Sequence, residues 1–235
     1  MPAVPSFQRL SGVLAIIAGL AAWGSLVLGL SAVDFQFEHF SDPLRLLALG
    51  SAAALRLRWS FFLSLFGAYL CLVPLFLWLG TTLRQPPPPH LRLYTLCGLL
   101  YLLLGAIGAA ILAAVWPALI TQYAAAPPEH HDIILVAFTT ATTIAEDGFQ
   151  GVIQNVAGSI WFVGIGSLLW MQRRLFAGFT AVLGLGLLVT TLGTMLDYEV
   201  LSLIGLTVTV LLVPLWSIWV GFILLRAPLH RADGQ

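Results

Sequence analysis

Residues Trp59–Leu83 read WSFFLSLFGAYLCLVPLFLWLGTTL, with no charged side chain between Arg58 and Arg84. A helix needs about 20 predominantly apolar residues to cross a bilayer, and this run supplies them without interruption. Five further runs have the same character: Ser11–Val33 behind Arg9, Leu93–Tyr123 after the turn-forming Pro86–Pro89, Gly148–Met171 before Arg173 and Arg174, Leu175–Leu196, and Leu201–Leu225 before Arg226. The expected fold is therefore an all-α, polytopic bundle of six transmembrane helices forming one domain over 1–235. Leu93–Tyr123 is long enough to tilt or to protrude beyond the bilayer.

Composition agrees. The chain has 235 residues, 60% hydrophobic and 9% charged, against roughly 25% charged in an ordinary soluble domain. That excludes a water-soluble fold, and the hydrophobicity excludes a disordered chain. All ten cations are arginine and balance ten acids, so no polybasic nucleic-acid surface is available and no nucleic-acid partner is expected. Cys71 and Cys97 lie inside apolar runs, which argues against a disulfide framework or a Cys-rich metal site. The first run is as long as the others, whereas a signal-peptide core is usually about 7 to 15 residues. It reads as an uncleaved first helix.

Arginine counts give the orientation, because short cytoplasmic loops are enriched in Lys and Arg. With six spans, Arg9, Arg84, Arg92, Arg173, Arg174, Arg226 and Arg231 share the side of both termini, and Arg45, Arg56 and Arg58 lie opposite. Both termini are thus expected in the cytoplasm. Nine of the ten acids fall on the other side, with Asp233 the exception. Two charged or polar stretches, Leu44–Trp59 and Asp132–Ala145, are expected as short helices along the outer surface.

Within the spans, small-xxx-small pairs such as Ala15 with Gly19 and Gly105 with Ala109 allow close backbone approach, which is how helices associate in lipid. Pro74, Pro117 and Pro214 are expected to bend their helices. No internal repeat is visible.

The opening Phe7, Gln8, Arg9, Leu10, Ser11, Gly12, the run Val73, Pro74, Leu75 leading to Leu83 and Arg84, and the closing Pro214–Arg226 together resemble a bacterial six-helix integral membrane family of unknown function (domain of unknown function 4386). The resemblance covers nearly the whole chain and implies a bacterial cytoplasmic membrane location and a six-helix fold. It implies no catalytic residues.

Catalytic signatures are missing: the sequence has no GxSxG, HExxH, Walker loop or CxxC. Glu129, His130, His131 and Asp132 form the densest ligand-type cluster, and Glu38 with His39 belongs to another loop. Adjacent histidines on a regular helix point apart, so a metal is not expected unless these loops converge. No cofactor is expected.

The most informative polar stretch is Glu146, Asp147, Gly148, Phe149, Gln150, Gly151, Val152, Ile153, Gln154, Asn155. At 100° per residue, Asp147, Gln150, Gly151, Gln154 and Gly158 fall within about 100° of one another, a stripe that avoids lipid. One reading is structural: Asp147 with Gln150 three residues later has the form of a capping box. The other is a site, with Glu146, Asp147, Gln150, Gln154 and Asn155 as candidate ligand-binding residues, since intramembrane polar groups face the bundle interior or a water-filled cavity.

The favoured function is a non-enzymatic inner-membrane protein holding a small ligand or lipid in an outward-facing polar cavity around the fourth span. The alternatives are a proton- or cation-coupled small-solute transporter using Glu146 or Asp147, and a membrane-embedded enzyme using His130, His131 and the outer carboxylates. Expected partners are membrane lipids and a small molecule; the sequence leaves the oligomeric state open.

Overall fold

The computed structural model describes residues 4–83 and 89–226. Arg84, Pro86–Pro88, Arg231 and Asp233, used in the charge and turn reading, lie outside these. Six helices are long and apolar enough to cross a membrane, and no strand occurs among the described residues. In chain order the helices are α1 (Val4–Ala32), the short α2 (Pro43–Leu47), α3 (Ser51–Thr82), α4 (Pro89–Ala125), α5 (Pro128–Leu169), α6 (Arg174–Met195) and α7 (Glu199–Arg226).

The six long helices form a closed ring. Each packs on its neighbour in the chain, and α7 closes the ring against α1. Polar side chains pin the seams: Gln8 donates to the Leu224 carbonyl across α1 and α7 at 2.8 Å, Ser25 and Ser60 join α1 to α3 at 3.1 Å, and Trp216 Nε1 donates to Thr180 Oγ1 across α6 and α7 at 3.0 Å. Such bonds carry weight because lipid offers no hydrophobic force between helices. Outward-facing Leu20, Leu96, Leu103, Leu185 and Leu203 are all more than half exposed, an apolar belt larger than a soluble monomer tolerates.

The centre of the ring is aromatic at the end nearer the termini. Phe76 and Trp161 lie face to face with ring centroids 3.7 Å apart, and Trp216 meets Trp161 edge-on at 5.5 Å. A second core lies at the opposite end, where Leu46 and Leu47 of α2 are buried with Leu57, Trp116, Ile120 and Phe138.

Length explains that second core. α4 has 37 residues, or about 55 Å of helix, against a hydrocarbon core of about 30 Å, whereas the 22 residues of α6 barely span it. The ends of α4 and α5 therefore rise past the α6–α7 turn, and α2 tucks against them. Asp42 caps α2, its carboxylate accepting from the Leu44 and Arg45 amides at 3.0 and 3.3 Å, and pairs with the Arg45 side chain at 3.0 Å.

The two stretches expected to lie along the surface differ from that expectation. Leu44–Trp59 is not one helix, because Gly50, at φ +81°, breaks it in a conformation that favours glycine. Leu46 and Leu47 turn inward on α2, while Ser51–Trp59 belongs to α3. Asp132–Ala145 is helical, but it is the start of α5 and runs on unbroken through Glu146 and Asp147 to Leu169. Charge ends the part of a helix that lipid can surround, not the helix itself.

Pro117 and Pro214 lie inside uninterrupted helices. Pro74 acts differently: it opens the last α-helical part of α3, directly after a π-helical stretch at Leu63–Tyr69 and a tight 3-10 turn at Leu70–Leu72. Its missing amide and its ring forbid the regular ladder with the preceding turn.

Candidate functional site

Two π-helical stretches face each other across α4. One is Leu63–Tyr69 in α3, and the other is Thr143–Gln154 in α5, which covers nearly the whole candidate stretch. π-Helical winding inside an α-helix is rare and frequent at functional sites. Bonding i to i+5 turns the chain less per residue than the 100° of an α-helix. The stripe drawn on α-helical geometry is therefore redrawn: Gln150 and Gln154 keep a common inward face, and Asp147 leaves it.

Gln154 is 3% exposed. Its Nε2 donates to the Tyr69 hydroxyl at 3.3 Å, while its Oε1 is buried with no hydrogen-bond partner among the described residues. Gln150 Nε2 donates to the Gly105 carbonyl of α4 at 3.2 Å. The glycines of α4 make this possible. A Cβ at Gly105 would strike the Tyr69 ring, and one at Gly108 would lie 2.6 Å from Gln150 Nε2.

Asn155 is buried too, but it serves its own helix. It donates to the Gly151 carbonyl at 3.0 Å, and Thr191 of α6 approaches the same oxygen at 3.4 Å. These side chains satisfy a carbonyl at the junction where π winding returns to α and the regular ladder is out of step.

Glu146 is half-buried and Asp147 exposed. Among the described residues neither forms an ion pair. Thr191 and Thr194 lie beside Gly151 near the end of α6, so Glu146, just over one turn further out, passes beyond the α6–α7 turn. The capping-box reading is overturned. The helix does not start at Asp147, and Gln150 bonds to another helix instead of reaching back.

The structure thus brings Gln150 and Gln154 to the interface of α3, α4 and α5, sets Asn155 beside α6, leaves Glu146 at the rim and turns Asp147 away. The sequence reading missed Tyr69, Tyr101 and Gly108, and named Gly105 only as a helix-packing position. Tyr101 sits edge-on to Tyr69 at 6.4 Å and stacks on Phe76 at 6.5 Å. A signal was available: a tyrosine in mid-span carries a hydroxyl that needs a partner.

The outer histidines do not join this centre. His131 stacks on Tyr123 at 4.0 Å and meets the Ala126 carbonyl at 3.2 Å, while Glu38 pairs with Arg45 at 3.7 Å. Among the described residues no group of three His, Cys, Asp or Glu side chains converges as metal ligands would. The convergence that the enzyme reading requires is not found there.

Comparison with family models, with curated proteins and with solved structures finds no match. The chemistry of the site has to speak for itself.

Proposed function

We propose that this chain is a non-enzymatic, multi-pass protein of the bacterial cytoplasmic membrane, with both termini in the cytoplasm, that binds a small ligand or lipid at the polar centre of α3, α4 and α5. The arginine bias supports the orientation, and the resemblance to the bacterial six-helix family supports the location. One observation carries the binding reading: Gln154 Oε1, buried beside the Tyr69 and Tyr101 side chains, has no hydrogen-bond partner among the described residues. An unmet buried acceptor costs about 1–3 kcal/mol, which a ligand donating an N–H or O–H would recover. Its π-helical setting is of the kind that function retains.

A second reading, proton- or cation-coupled transport, draws on Glu146, a half-buried carboxylate at the rim with no ion-pair partner among the described residues. The enzyme reading has no comparable support.

Thermal unfolding in detergent, with and without a bacterial polar-lipid and solute extract, tests the binding reading. The parent is expected to gain stability with the extract. Gln154→Leu, which removes the acceptor, is expected to fold and to lose most of that gain. Equal gains in both proteins would overturn it. In proteoliposomes, loss of proton-driven uptake in Glu146→Gln with normal binding would instead favour transport.

A further inference from the structure

A groove of about 450 Å³ opens on the lipid-facing side between α3 and α4, near the end that carries the termini. It shares no residue with the Gln154 centre. Leu77, Leu96 and Leu99 line it, with Thr81 and Arg92 at its mouth. Its floor is closed where Gly80 lets α3 approach Thr95 of α4. From Leu99 to Arg92 the groove runs about 10 Å along α4 at 1.5 Å per residue, apolar first and cationic at the end.

We infer that this groove holds one anionic glycerophospholipid, its acyl chain along Leu77, Leu96 and Leu99 and its phosphate on the Arg92 guanidinium. Arg92 is exposed and has no ion-pair partner among the described residues. Its planar N–H fork matches a phosphate in paired hydrogen bonds. Thr81 spends its own hydrogen on the Leu77 and Trp78 carbonyls, at 3.1 and 3.0 Å. Its oxygen is left as an acceptor for a headgroup hydroxyl, which selects a glycerol headgroup over choline. The depth fits as well, since the guanidinium lies where a helix end meets the headgroup layer and its stem can snorkel. A second copy of the chain is a poorer occupant. Among the described residues this end of the bundle carries Arg9, Arg92, Arg173, Arg174 and Arg226 and no acid, so a copy seated in the groove side by side would set arginine against arginine.

Native mass spectrometry of the detergent-purified full chain, titrated with phosphatidylglycerol and with phosphatidylcholine of the same acyl chains, decides the matter. The parent is expected to retain one phosphatidylglycerol in preference to phosphatidylcholine by about fivefold, the worth of one arginine at an anionic surface. Arg92→Gln should abolish the preference, Arg92→Lys should keep most of it, and Arg226→Gln should leave it intact. Leu96→Trp, which fills the groove, should weaken both lipids. Equal binding of the two lipids by the parent, an undiminished preference in Arg92→Gln, undiminished binding of both lipids by Leu96→Trp, or a dimer that sheds lipid would overturn the inference.

Discussion

The Gln154 amide reaches the Tyr69 hydroxyl at 3.3 Å across 85 residues of sequence and joins the two π-helical stretches of the bundle. Neither helix alone has a reason to wind that way at that point. Together they set a glutamine and a tyrosine against the glycine face of α4, where a larger residue would keep them apart.

That packing makes the two glycines unequal. Gly105→Ala drives a methyl into the Tyr69 ring, which is wedged beside Tyr101, and is expected to cost about 2–3 kcal/mol, the upper part of the range for overpacking. The atoms nearest a methyl at Gly108 all belong to the Gln150 side chain, which can swing away at the loss of one interhelical hydrogen bond, about 0.6 kcal/mol. Denaturant unfolding in mixed micelles should rank Gly105→Ala clearly below Gly108→Ala. The reverse order would show that Tyr69 yields more easily than Gln150.

The capping role that the sequence suggests for Asp147 is filled in the structure by Asp42, at the start of α2. Asp42 caps α2, so Asp42→Ala is expected to cost on the order of 1 kcal/mol, and Asp42→Asn much less, since Asn caps about as well. Asp147 lies exposed in an unbroken helix, and both its Ala and Asn variants should unfold within about 0.5 kcal/mol of the parent, as surface changes do. A selective loss in Asp147→Ala, spared in Asp147→Asn, would restore the capping reading.

The cysteines are free and half-buried on α3 and α4. Replacing Cys71 and Cys97 together by Ser should leave the mobility of the chain on non-reducing gels unchanged and its melting temperature nearly so. Disappearance of an internally crosslinked band on replacement would contradict this placement.

In that cysteine-free background the orientation becomes measurable. A cysteine at Ala125, exposed at the end of α4, should react with an impermeant thiol reagent in intact cells, and one at Gln235 should be shielded until the cells are opened. The opposite pattern would invert the bundle. Reaction at both positions would require an odd number of crossings.

Much of the architecture is legible along the chain, because a lipid-embedded helix satisfies its own backbone and needs only length and apolarity. Uninterrupted runs such as Trp59–Leu83 need no knowledge of their neighbours to be read as spans. Gln150 and Gln154 are equally visible as costly polar groups in such a run. The winding of the helices is another matter. Where Asp147 points depends on a π-helical register that one helix adopts only against its neighbours, and the extent of α5 depends on how far α6 falls short of it. Whether Leu46 and Leu47 lie on lipid or in a core depends on the protruding ends of α4 and α5. Composition and period are properties of a single segment, but register, protrusion and the pairing of Tyr69 with Gln154 are settled by packing between segments distant in sequence, and only the folded bundle brings these together.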